Sequence, residues 1–121
     1  MKTSDVILVV DDEFEIREIL TLILEAEGYC VESASEGFEA LRMLKAHRWS
    51  AVLVDRAMPG MSGDQLARSI RATHPKLPLI LVSGNCNEGN GFAFDAVVPK
   101  PFTSQSIHEA LHGLLGRGHS E

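Results

Sequence analysis

The chain has little of what marks a specialised class. Two cysteines, Cys30 and Cys86, among 121 residues are too few for a disulfide framework. Buried or incidental thiols in a reducing cytoplasm are the expectation. Lys and Arg number 11 against 17 acids, for a net charge of −6. The basic residues are scattered, which argues against nucleic acid as a direct partner. No apolar run approaches the length of a membrane span, and no signal peptide precedes the first one. Repeats and linkers are absent too. What is present is hydrophobic content of 45%, too high for a disordered chain, in a length that suits one good core and not two. The expectation is a single cytoplasmic domain over 1–121, a monomer or weak dimer. Its tail frays over Gly116–Glu121, and no output domain follows.

Short apolar runs recur at Val6–Val10, Ala51–Val54, Leu79–Val82 and Ala96–Val98, with Tyr29–Ser33 as a fifth short strand. Separated by helix-like stretches, such runs are expected as buried strands of a parallel sheet. The first helix spans roughly Phe14–Glu27, with Ile16, Ile19, Leu20 and Ile23 on one face, and Gly28 ends it. The second spans Gly37–His47, with Phe38, Leu41 and Leu44 inward. Ser62-Gly63-Asp64-Gln65 has capping-box spacing, and Met61 can staple to Leu66. That helix carries Ile70 and ends before Pro75. Thr103 caps the last helix, with a Phe102–Ile107 staple and Ala110, Leu111 and Leu114 buried.

Strands joined by helices require right-handed crossovers and helices on both faces of the sheet. Strands one, three, four and five each end in polar residues: Asp11-Asp12, Asp55, Ser83 and Lys100. The order 2-1-3-4-5 makes those four strands contiguous and puts the switch point between strands one and three, on the rim where open α/β sheets bind ligands. A TIM barrel needs about twice this length. A dinucleotide fold would carry a glycine fingerprint where this chain has Asp11-Asp12-Glu13.

Three carboxylates brought together repel, and a cation is the simplest remedy. Mg²⁺ takes oxygen ligands and keeps several waters. Asp12 and Asp55 are candidate direct ligands, with Asp11 acting through water. Asp55 can then serve as a carboxylate nucleophile on phosphorus. Lys100 can stabilise charge on the phosphoryl oxygens, and the Ser83 hydroxyl can donate to one of them.

At these residues the chain closely resembles the response-regulator receiver domain of two-component signalling, whose fold is the flavodoxin-like (βα)5 doubly wound sheet. The matching pieces are Val9-Val10-Asp11-Asp12-Glu13, Leu53-Val54-Asp55 with Met58-Pro59 and Gly63, Leu81-Val82-Ser83-Gly84, and Lys100-Pro101-Phe102. The resemblance implies that Asp55 accepts phosphate from a histidine kinase or a histidine phosphotransfer protein. It implies Mg²⁺ at Asp11, Asp12, Asp55 and the backbone carbonyl of Ala57, with Ser83 and Lys100 as switch and phosphate-contacting residues. It further implies a cis Lys100-Pro101 peptide, a Gly84 that leaves the aspartate accessible, and donor contacts at Phe14, Arg17 and Phe102.

Two departures bear on switching. The family often has an aromatic residue three positions before its lysine, where this chain has Val97. The interval from Ser83 to Lys100 is short and holds Gly84, Asn85, Asn87, Gly89, Asn90 and Gly91. Gly costs about 1 kcal/mol and Asn roughly 0.7 kcal/mol relative to Ala within a helix. The helix between strands four and five is therefore expected to be short, irregular or absent, as in receivers of hybrid kinases or single-domain receivers.

Other polar and aromatic residues have plainer readings. His47, His74, His108, His112 and His119 are expected on the surface. His108 and His112 have i, i+4 spacing with no third ligand near in sequence. Arg56 is a rim residue, and Phe92 and Phe94 are packing residues. Trp49 lies about 20 Å from Asp55 at ~3.3 Å per residue. Two alternatives to a receiver stay open. A haloacid-dehalogenase-like phosphatase would use the same residue types in the reverse order, with an acid where Ala57 stands. A pseudo-receiver would bind partners without phosphate.

Overall fold

The computed structural model describes residues 5–46, 48–55, 58–84 and 94–115. Its elements are β1 (Val6–Val10), α1 (Phe14–Ala26), β2 (Cys30–Ala34), α2 (Gly37–Leu44), β3 (Ala51–Asp55), α3 (Gly63–Thr73), β4 (Leu79–Ser83), β5 (Ala96–Pro99) and α4 (Ser104–Leu115). All strand pairs are parallel, in the order β2-β1-β3-β4-β5. This is the doubly wound order expected from where the polar strand ends fall. His47, Arg56, Ala57, segment 85–93 and the tail 116–121 lie outside the described residues. The expectations of an irregular helix after β4, a frayed tail and a packing role for Phe92 fall there.

Strand pleating sorts the core into two layers. Leu8, Val10, Val52, Val54, Leu79 and Leu81 face α2 and α3 and pack with Ala40, Leu44, Leu66 and Ile70. Ile7, Val9, Leu53, Ile80, Val82 and Val98 face α1 and α4 and pack with Leu20, Leu24, Ile107 and Leu111. Phe94 joins the first layer, as a packing residue should. Two assignments of inward residues are corrected. Ile19 is 45% exposed and Phe38 56% exposed. On α1 the buried line is Leu20 and Leu24, one step round the helix from Ile19. α2 closes at Leu44, earlier than the apolar pattern suggested.

The helix ends follow local chemistry. Gly28 takes φ 96 after α1, a conformation that favours glycine. Ser62 and Gln65 form the reciprocal capping box at α3. The Thr103 hydroxyl accepts from the Ser106 N–H at 3.0 Å at the start of α4. No helix among the described residues is long and apolar enough to cross a membrane.

Candidate functional site

β3, β4 and β5 each run one residue further than their apolar runs, which sets the site. β3 includes Asp55 itself, paired with Val82, and β4 includes Ser83, paired with Pro99. Both side chains are therefore fixed by the ladder and are not on mobile loops. Asp55 is 7% and Ser83 4% exposed. Lys100 is held beside them by its own backbone, whose N–H donates to the Ser83 carbonyl at 2.9 Å. The Lys100-Pro101 peptide is cis.

Asp11 follows β1 and is almost fully buried. Its Oδ1 accepts from the Glu13 N–H at 2.8 Å. Its Oδ2 is buried without a hydrogen-bond partner, although the Lys100 ammonium stands 3.6 Å away. Asp12 is exposed at the mouth of the site. One carboxylate oxygen from each of Asp11, Asp12 and Asp55 falls within 4.8 Å of the others, the one such grouping among the described residues. His108 and His112 make no second one. Their rings stack at 5.5 Å, and His108 Nδ1 lies 2.7 Å from Glu27 Oε1, a surface pair as expected.

Electrostatics follow from burial. Desolvation pushes the Asp11 carboxyl above the usual range, against the pull of the Glu13 N–H and Lys100. Desolvation also raises Asp55; Asp11 raises it further, and Lys100, 3.3 Å from its Oδ1, pulls the other way. Burial works against the charge of Lys100, but Asp11 and Asp55 together outweigh it and hold the ammonium's pKa above its ordinary value. Three acids against one lysine leave uncompensated negative charge and an orphaned buried oxygen. Both are met by a hard divalent cation with oxygen ligands, so the donor set fits Mg²⁺.

The family described as response regulator receiver domain matches residues 7–112. The chain belongs to the response-regulator receiver family. It is a receiver domain of two-component signal transduction. It is 34% identical over 116 residues to response regulator MprA of Mycobacterium ulcerans (strain Agy99), covering 92% of this chain and 50% of that protein. The chain thus spans about half the length of the curated relatives it matches. Among solved structures, response regulator TrrA from Thermotoga maritima in complex with Mg²⁺-BeF superposes with a TM-score of 0.86 at 35% identity, over 92% of this chain and 99% of that one. The receiver domain of sensor histidine kinase PA1611 from Pseudomonas aeruginosa PAO1, with a magnesium ion in its active-site cleft, gives 0.87 at 26% identity, over 94% and 99%.

In this receiver the five expected side chains Asp11, Asp12, Asp55, Ser83 and Lys100 all stand at the carboxyl end of the sheet; Ala57 lies outside the described residues. A Cβ on Gly84 would meet nothing within 4 Å among the described residues. Val97 is 43% exposed on edge strand β5, paired with Leu81. One contributor was identified only as a docking contact. Arg17 Nη1 donates to the Asp11 backbone carbonyl at 2.8 Å, so α1 pins the turn that carries both acids. An arginine in the first turns of a helix, where the dipole disfavours a cation, was the available signal.

Proposed function

We propose that Asp55 accepts a phosphoryl group from a phosphohistidine on a donor protein, a histidine kinase or a histidine phosphotransfer protein. The observation that carries this reading is a buried carboxylate at a strand end, in contact with one lysine and within reach of two further acids. Asp11, Asp12 and Asp55, with the carbonyl of Ala57, would hold Mg²⁺. When bound, the cation offsets the acids and withdraws charge from phosphoryl oxygens.

The chain's own groups divide the remaining work. An Asp55 carboxylate oxygen attacks phosphorus, the N–P bond breaks, and its electron pair stays on the donor imidazole. The product is an acyl phosphate on Asp55. Lys100 is near enough to Asp55 to follow the charge from carboxylate to phosphoryl oxygen, as a preorganised cation should. The buried Ser83 hydroxyl supplies a donor on the β4 side. Beyond accepting and losing this phosphate, no turnover of a separate substrate is assigned to the site.

The donor is read as docking beside the acceptor. Ile16, Ile19, Lys100, Pro101 and Phe102 line a cavity of about 430 Å³ on that side, and Phe14, at the start of the same helix α1, is 62% exposed. The burial of Ile16 and Phe102 against the α1–α4 layer fixes the floor, and the exposure of Ile19 and Phe14 leaves apolar area for a partner.

The test is incubation with Mg²⁺ and acetyl phosphate followed by intact mass and peptide mapping. One phosphate on Asp55 is the expected result. Multiple turnover of a phosphoester would favour a phosphatase, and no adduct would favour a phosphate-independent binding module.

A further inference from the structure

At the amino end of the sheet, away from the acids, the loops before β3 and β4 line an open cavity of about 490 Å³. Trp49, Leu77, Pro75 and Pro78 form its apolar lining, and Arg48, His74 and Lys76 its polar part. Hydrogen bonds to backbone carbonyls fix this wall in place. Arg71 Nη1 donates to the Pro75 carbonyl at 3.2 Å and to the Leu77 carbonyl at 2.6 Å. The Leu77 N–H donates to the His74 carbonyl at 3.2 Å. The Trp49 indole donates to the Met43 carbonyl at 3.3 Å, which holds the ring against the first core layer. Two prolines stiffen the loop further.

The lining combines two cations with an indole and two prolines, where the cavity beside Lys100 has one cation and no indole. The chain carries −6 overall, yet no carboxylate lines the cavity. Arg48 and Lys76 make no ion pair among the described residues. Its volume falls within the ~300–1,000 Å³ of small-molecule sites, which pair an apolar lining with a few orienting polar groups. β3 and β4 start beside it and end at Asp55 and Ser83. At ~3.3 Å per residue those five-residue strands separate the two sites by about 17 Å.

We propose that this cavity binds a small aromatic anion. The planar apolar body lies against Trp49 and Leu77, and its carboxylate, sulfonate or phosphate group is met by Arg48 and Lys76. A bare anion would leave the indole and prolines unused, and a neutral aromatic would leave the two cations unused. Binding at this distance from Asp55 leaves the acceptor rim open to its donor protein.

The test uses naphthalene-1-sulfonate as probe, with naphthalene-1-methanol and inorganic phosphate as comparisons, added to the ¹⁵N-labelled full chain. The readouts are the Trp49 indole N–H and the Leu77 amide N–H. Saturable shifts at both are expected, with a dissociation constant below about 1 mM. Each comparison ligand should bind several-fold more weakly. Exposed cations contribute modestly, so R48Q combined with K76Q should weaken binding about tenfold. Melting temperature and phosphoryl uptake should stay unchanged in that variant. Equal affinity for the neutral alcohol, equal affinity for phosphate, shifts centred instead on Ile16 and Phe102, or no saturation would each overturn the proposal.

Discussion

At the amino end of the sheet, Ser50, Asp95 and Arg71 tie the strand starts together through paired polar groups. Asp95 Oδ2 accepts from Arg71 at 2.7 Å and from the Leu79 N–H at 2.8 Å. The Ser50 hydroxyl accepts from the Val6 N–H and donates to Asp5 Oδ1, both at 3.1 Å. At the carboxyl end of the same strands, Asp11 Oδ2 is buried with no hydrogen-bond partner, and two buried acids share one lysine. An unsatisfied buried acceptor costs about 1–3 kcal/mol. One end of the sheet therefore stabilises the fold, and the other holds negative charge that an added cation would offset. Among the described residues the frustration falls at the strand ends to which the phosphoryl chemistry is assigned.

The largest effect that would break this contrast is at the acceptor. Asp55→Asn keeps the side-chain shape and removes the nucleophilic oxygen's charge, so phosphoryl uptake from acetyl phosphate should fall below detection in intact-mass measurement. Uptake at the wild-type rate would place the acceptor elsewhere. Lys100→Ala should still bind Mg²⁺ but take up phosphate much more slowly, because the cation beside Asp55 is gone.

Next in size is the response to metal. Mg²⁺ at a hundredfold its dissociation constant should stabilise the protein by about 2.7 kcal/mol if it binds only the folded state. Asp12→Ala should lose most of that gain, since the exposed Asp12 has no structural bond to give up among the described residues. Thermal melts with Mg²⁺ and with EDTA measure both. An undiminished gain in the variant would remove Asp12 from the ligand set.

The contrast can also be broken from the stable end. Arg71→Ala removes hydrogen bonds to Pro75, Leu77 and Asp95, at a cost of about 2 kcal/mol in urea denaturation. Phosphoryl uptake by the folded fraction should not change. A proportional loss of uptake would show that the two ends are coupled.

Much of this was legible in the residues, for identifiable reasons. Strand order followed from which runs ended in Asp11-Asp12, Asp55, Ser83 and Lys100, because a parallel sheet puts all such ends on one rim. Helix caps at Ser62 and Thr103 were legible because their partners lie three residues away. Burial on α1 was less so. Ile19 and Leu20 are both apolar neighbours, and only packing against the β1–β3 layer selects Leu20 and Leu24. The Arg17 bond to the Asp11 carbonyl and the orphaned Asp11 Oδ2 depend on three-dimensional placement that no spacing encodes. The same holds for the Arg71–Asp95 pair, which joins residues 24 positions apart.

The smallest effect is the sharpest test of the frustration itself. Asp55 and Asp11 have carboxyl pKa values raised first by burial, and Asp55 further by its neighbour Asp11. A raised folded value means the folded state binds more protons than the unfolded state above the unfolded pKa of about 3.9. Metal-free stability attributable to these groups therefore falls as pH rises from about 4 through the raised folded values, and the full penalty persists above them. Lys100 acts in a different window. Its raised value contributes stability that is complete below about pH 10.4 and lost only above it. Glu39, lowered by the Ser35 N–H, works in the opposite direction at low pH, so total stability would blur the result. The difference between wild type and Asp55→Asn isolates it. In EDTA the two proteins should unfold alike near pH 4, where a protonated Asp55 resembles asparagine. Near pH 7 the variant should be the more stable by about 1 kcal/mol. If the wild type is instead the more stable at pH 7, the Lys100 contact outweighs the burial of Asp55, and the carboxyl end of the sheet is no more strained than the amino end.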